Sequence, residues 1–265
     1  MSNANGTDTR RVLWLNPLGT DAFDADMQKL FDAEKLPGPE VTVRSLARGP
    51  HHVEYHYYGA LVMPDVLHML REAESEGFDA AVVGCFYDPG LKEAREVVTS
   101  MPVIFPAETC AYLAAPMADR FSVLVGRRKW VPAMREVIER YGVGSKLSSF
   151  KILEMNVLDF QKDPPETEKR MVALAREAVE KDGAEAIILG CTAEFGFAQA
   201  LQAEIGVPVL DATVTPFKFA EFKADLRKRY GWAASKIGGY ESPSLSEIES
   251  WGLAESYDGV SEAWG

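Results

Sequence analysis

Apolar residues in this chain come as short unbroken runs, separated by longer stretches where they recur every three or four positions. Val12-Leu-Trp-Leu15, Ala80-Ala-Val-Val83, Phe121-Ser-Val-Leu-Val125, Ala186-Ile-Ile-Leu189 and Val207-Pro-Val-Leu210 are such runs. Their length and their Gly, Pro or acidic borders predict strands buried on both faces, the pattern of a parallel sheet. The first strand ends at Asn16-Pro17, where proline stops the ladder. Val41 to Ser45, after the Pro37-Gly38-Pro39 turn, and Phe150 to Leu153 predict two more. Helical spacing predicts helices over 21–32, 64–76, 131–141, 166–181, about 194–205 and 215–229. Asp88-Pro89 reads as an N-cap and first helical residue of a helix to about Ser100. Residues 49–59, rich in His and Tyr and without a clear period, read as a loop over a site. Strands alternating with helices imply an α/β fold with parallel sheets and right-handed crossovers.

The pattern is duplicated. Phe78-Asp-Ala-Ala-Val-Val-Gly-Cys85 and Ala184-Glu-Ala-Ile-Ile-Leu-Gly-Cys191 lie 106 residues apart, each with a glycine five residues after its cysteine (Gly90, Gly196) and a proline seventeen after it (Pro102, Pro208). Arg71-Glu-Ala73 and Arg176-Glu-Ala178 repeat upstream, shifted by one residue. The duplication predicts two similar lobes: residues 1–105 with 213–230, then 106–212, followed by a tail at 231–265.

Two of only three cysteines occupy equivalent strand ends, the place where open α/β sheets bind ligands. Each reads as standing just before a helix start, where free N–H groups and the helix dipole favour a thiolate. Gly84 and Gly190 read as allowing a sharp turn there. A thiolate on one face of a carbon acid and a thiol on the other can invert the centre, the two exchanging roles with direction. That reading expects sulfurs roughly 7–9 Å apart across one cleft. Free cysteines are also among the most buried residue types, so packing is the alternative. Two thiols at matched points of a repeat weigh against it.

These residues carry a resemblance. Gly84-Cys85-Phe-Tyr-Asp88-Pro89-Gly90-Leu91, Ile188-Leu-Gly-Cys191 and Asn16-Pro17 resemble the hydantoin racemase branch of the aspartate/glutamate racemase superfamily. So do Gly49-Pro50 with Val53-Glu54-Tyr55, and Pro102-Val-Ile with Glu108. The resemblance is co-linear over roughly residues 11 to 225. It implies two Rossmann-like lobes related by a pseudo-twofold, with the active site in the cleft between them. It implies cofactor-free racemisation of a small-molecule substrate by Cys85 and Cys191, and a homo-oligomer. Substrate contacts are expected from Asn16, Phe86, Tyr87, Gly126, Arg127, Thr192, Ala193, His52 and Tyr57. Departures from the branch fall at such contacts. Val125-Gly126 stands where a Thr-Thr pair is usual, His51-His52 replaces small polar residues, and Thr192-Ala193-Glu194 replaces Ala-Gly-Met. The expected substrate is a 5-substituted hydantoin or a related ring such as allantoin. Decarboxylation, cis–trans isomerisation through a cysteine adduct, hydrolysis, or simple ligand binding on the same scaffold are the alternatives.

Composition narrows the partners. With 265 residues, 47% of them hydrophobic, the chain can bury a sizeable core. A formal net charge of −12 argues against nucleic acid and anionic membrane. Half of that charge is the tail's, since residues 241–265 hold six acids and no base. A polar N-terminus and the lack of long apolar runs predict neither a signal peptide nor a membrane span. Three cysteines without a CxxC fit free thiols in a reducing cytoplasm. The loop histidines 51, 52 and 56 have no rigidly placed partner ligands, so no metal is expected, and Cys110 reads as a packed core thiol. Asp88 reads as a helix cap rather than a proton donor. Arg127-Arg128-Lys129 reads as either a solvated patch or a carboxylate receptor.

Overall fold

The computed structural model describes residues 9–256, and within them the apolar runs form two parallel sheets of the same topology. Strands β1 (Arg11–Asn16), β2 (Glu40–Ser45), β3 (Ala80–Val83) and β4 (Val103–Ile104) lie in the order β2-β1-β3-β4. Strands β5 (Phe121–Val125), β6 (Leu147–Ile152), β7 (Ala186–Leu189) and β8 (Val209–Leu210) repeat it as β6-β5-β7-β8. Every residue of β3, β5 and β7 is buried, because helices cover both faces of each sheet.

In the first lobe, α2 (His56–Ser75) and α3 (Leu91–Val97) pack Val62, Val66, Leu70 and Leu91 on Leu13, Leu15 and Val83. On the other face, Met27 and Phe31 of α1 (Asp24–Glu34) and Phe217 of α8 (Val214–Tyr230) cover Val12 and Trp14. In the second lobe, α4 (Pro106–Met117) and α5 (Val131–Arg140) cover one face, and α6 (Pro164–Asp182) and α7 (Ala198–Ile205) the other. The last long helix therefore returns to the first sheet.

Four local readings change. Helix α2 begins at His56, eight residues before Pro64, so residues 56–59 of the segment read as a loop are its first turn while 49–55 are irregular as expected. An interior proline costs a helix ~3 kcal/mol, and burial of Gly59 and Val62 ahead of it keeps the helix continuous. Asp88 does not cap its own helix: it stands at φ 53, and α3 starts only at Leu91. The helix expected from about residue 194 starts at Ala198, after a single 3-10 turn over Thr192–Glu194. The tail folds back onto the first lobe. The Lys236 ammonium donates to the carbonyls of Arg95 (2.5 Å) and Glu96 (3.0 Å), and Ile248 in α9 (Leu245–Ser250) is buried. A four-residue helix, α10 (Leu253–Ser256), follows. The last nine residues of the expected tail lie outside the described residues.

Candidate active site

In each sheet the strand order reverses between the first and third strands of its lobe, which opens a crevice at their carboxyl ends. Asn16 ends β1 and Cys85 lies two residues past β3; in the second lobe Gly126 directly follows β5 and Cys191 lies two residues past β7. The two crevices meet in one cleft enclosing about 760 Å³ of space open to solvent. Both cysteines line it, as do Asn16, His52, Phe86, Tyr87, Gly126, Arg127, Thr192 and Ala193. Tyr57 does not. It sits on the first turn of α2, 69% exposed and outside the cleft, because the helix that carries it starts early.

The loops that hold the thiols are interlocked. Phe86 leaves the first lobe to join the core of the second with Phe121, Val123 and Trp130, while Phe195 packs against the core around Val12 and Trp14. The Thr192 hydroxyl donates to the Gly84 carbonyl across the cleft (3.1 Å), and the Thr213 hydroxyl donates to the Thr192 carbonyl (2.8 Å). Thr192 lines the cleft with its hydroxyl already spent. Gly84 and Gly190 are needed for close approach rather than for a turn. A Cβ on Gly84 would stand 2.9 Å from the Trp14 ring, and one on Gly190 would stand 2.4 Å from the Leu124 carbonyl oxygen. Gly126 is fixed likewise, since a Cβ there would meet the Met155 carbonyl at 2.7 Å. The hydroxyl pair absent at 125–126 has no room at its second position.

Burial governs the thiols. Neither stands at the start of an α-helix, so the dipole argument for an acidic thiol does not hold. Desolvation pushes the Cys85 thiol up to about 12, against the pull of the Tyr87 N–H and hydroxyl. Cys191 is raised well above the ordinary value by burial, then by the Glu194 carboxyl, with the Ala193 N–H opposing. The backbone donor two residues on is the same in both loops, another trace of the duplication. For Cys85 the rise from 9.0 to about 12 corresponds to ~4 kcal/mol against the thiolate. Burial thus favours the protonated form of both thiols.

The rest of the lining is mostly apolar, with Leu18, Phe23, Met27, Met134, Val157 and Phe160 among it. Trp130 stacks on Tyr87, with ring centroids 4.4 Å apart. Glu54, not assigned from sequence, faces Arg127 at 3.9 Å, and both line the cleft. Lys129 is committed elsewhere: it donates to the Glu54 carbonyl (3.0 Å) and sits 4.0 Å over the Tyr55 ring. Arg128 is mostly exposed beside Glu154. Asn16 accepts from the Trp14 indole (2.8 Å) and donates to Asp24 (2.7 Å), which fixes its orientation at the cleft floor. His52 uses Nδ1 to accept the Glu54 N–H (3.3 Å). Among the described residues, no three His, Cys, Asp or Glu side chains gather as metal ligands do. Cys110 is fully buried in the core of the second lobe.

Asp88 does cap a helix, though α4 rather than its own. Its carboxylate accepts the N–H groups of Ala107 (2.9 Å) and Glu108 (2.8 Å) and the Tyr141 hydroxyl (2.6 Å). Burial still pushes it up to about 7.

Comparison with known proteins identifies the family and the fold. The model of the family described as Asp/Glu/Hydantoin racemase matches residues 12–219. A hydantoin racemase of Pseudomonas sp. (strain NS671) is 35% identical over 237 residues, covering 89% of this chain and 93% of that protein. A hydantoin racemase of Paenarthrobacter aurescens is 30% identical, covering 88% and 98%. Among solved structures, the allantoin racemase from Klebsiella pneumoniae superposes with a TM-score of 0.82 at 28% identity, covering 89% of this chain and 94% of that one.

Proposed function

The chain belongs to the Asp/Glu/Hydantoin racemase family and is a racemase, and we propose that it inverts the C5 centre of a hydantoin-like ring between Cys85 and Cys191 without a cofactor. The observation that carries this reading is the placement of both thiols, at matched strand ends of two lobes, in the wall of one cleft. One sulfur, as thiolate, takes the C5 proton. The electron pair left on carbon delocalises onto the neighbouring ring carbonyl, and the opposite thiol delivers its own proton to the other face. Sulfur charges are exchanged at the end of each turnover, so the reverse reaction starts with the roles swapped. A ring such as allantoin fits the mixed lining: apolar walls for the ring, and the Glu54–Arg127 pair for a polar substituent.

The raised thiols set the pH dependence. A catalytic base whose pKa is pushed up ionises later, so its acid limb moves to higher pH. Below that pKa the thiolate fraction grows about tenfold per pH unit. The kcat/KM for a 5-substituted hydantoin is therefore expected to climb steadily from neutrality into the alkaline range. Initial rates by polarimetry across pH test this, with mass spectrometry confirming an unchanged mass. A maximum below neutrality would contradict the buried-thiol account, and a mass change would exclude racemisation.

A further inference from the structure

The duplication reaches one residue pair that the reaction scheme leaves unused. Both cysteine loops read Gly-Cys-x-x-acid-x-Gly: Gly84-Cys85-Phe-Tyr-Asp88-Pro-Gly90 and Gly190-Cys191-Thr-Ala-Glu194-Phe-Gly196. Asp88 and Glu194, each three residues after its thiol, are both buried. Their surroundings differ in one respect. In the first lobe, Asp88 accepts the N–H groups of Ala107 and Glu108 at the start of α4. In the second, the residues 106 positions later, Thr213 and Val214, give their N–H groups to Asp211 instead (2.7 and 3.2 Å). Asp211 also takes the Gly196 N–H (3.3 Å). The capping position equivalent to Asp88's is thus already filled, and Glu194 is displaced from it. Neither oxygen of Glu194 has a hydrogen-bond partner, and its side chain is fully buried. The N–H groups of Cys191 and Gly190 pull toward its ionised form, but burial and Asp211 outweigh them, and the Gly190 N–H is given to the Leu124 carbonyl.

A carboxylate in such a place is strongly disfavoured. Two ionisable groups face it, the Cys191 thiol and Asp211, and both would be repelled by its charge. Cys191 in turn faces Glu194, Cys85 and Glu54, and the cation that shares its cleft, Arg127, lies beside Glu54. We propose that Glu194 is a positioning acid for Cys191, forming with it a coupled pair in which the carboxyl holds a proton in the resting enzyme and its ionisation keeps the proton on the sulfur. Cys191 then remains a proton donor to higher pH than it would alone. This rests on Cys191 being a proton-transferring thiol, but it is read from the thiol's ionisation and not from turnover.

The test uses Cys85→Ser as background and follows alkylation of Cys191 by iodoacetamide against pH, with the modified peptide identified by mass so that Cys110 is counted separately. Glu194→Gln and Glu194→Met both remove the carboxyl at near-constant volume. Either is expected to lower the midpoint for Cys191 by about one pH unit or more, making alkylation about tenfold faster on the rising limb. Glu194→Asp is expected to restore the original direction. The midpoint of Cys85, measured in Cys191→Ser, should stay where it was. A Cys191 midpoint unmoved in a folded Gln or Met variant, or an equal shift at Cys85, would overturn the proposal. If neither variant folds, infrared spectra of the intact enzyme labelled at glutamate carboxyls decide the matter. A protonated buried glutamate at neutral pH is required, and its absence would overturn the proposal. Loss of racemase activity with the expected shift intact would fault the catalytic reading and leave this one standing.

Discussion

Cys85→Ser and Cys191→Ser are each expected to lower racemisation of a hydantoin by about 10³-fold or more, with the melting temperature nearly unchanged. Serine fills almost the same volume, and neither sulfur is a packing keystone: Cys191 is only partly buried, and Cys85 sits at the cleft wall. The chemical change is large. A hydroxyl is a far weaker acid than a thiol, and burial that already holds Cys85 near 12 would place an alkoxide out of reach. The opposite thiol remains in each variant, so residual activity reports a single base working alone. Polarimetry on a single enantiomer, paired with thermal melts, reads both properties. Full activity in either variant would remove that cysteine from the reaction.

Discrimination by at least about 10²-fold is expected in favour of 5-substituted hydantoins over free aspartate or glutamate. A free amino acid brings an ammonium and a carboxylate, and both must be paired once water is removed. The cleft wall offers one guanidinium, Arg127, already facing Glu54, and a lining dominated by Leu18, Phe23, Met27, Trp130, Met134 and Phe160. Hydroxyl donors are scarce. Gly126 has no space for a side chain, Thr192 gives its hydroxyl to Gly84, and the Tyr87 hydroxyl is shared between the Val53 carbonyl (3.3 Å) and the Cys85 sulfur. A neutral planar ring loses little on entering such a site, and its C5–H is acidified by the adjacent carbonyl. Rates on enantiopure members of both classes test this, and faster turnover of aspartate or glutamate than of every hydantoin tried would reverse it. Arg127→Leu in the same assay separates binding of the substituent from the chemistry, because it should raise KM more than it lowers kcat.

Much of this was legible in the sequence where local pattern decides structure. The bounds of β3, β5 and β7 coincide with their apolar runs, because a strand buried on both faces has no solvent-facing position to blur its ends. The duplicated Gly-Cys located the cleft wall in both lobes. Readings failed where partners come from far along the chain. Asp88 looked like the cap of the helix beside it, yet its donors are 19 and 20 residues away on α4. The thiols looked acidic from helix proximity, but the cores that close over Phe86 and Phe195 desolvate them. Glu54 sat in a quoted motif without a role, since its facing cation, Arg127, belongs to the other lobe. The acids at the third position after each cysteine were visible as a repeat, and comparing the two loops residue by residue would have found Glu194.

Isotope placement tests the two-thiol account most directly. A single enantiomer of a 5-substituted hydantoin is converted in deuterated water, and deuterium at C5 is read separately in the unconverted substrate and in the new enantiomer, with the enzyme-free exchange subtracted. If Cys85 and Cys191 work from opposite faces, early product carries deuterium, supplied by the far thiol, while the remaining substrate keeps its protium. Deuterium appearing in the unconverted substrate as fast as in the product would contradict that arrangement.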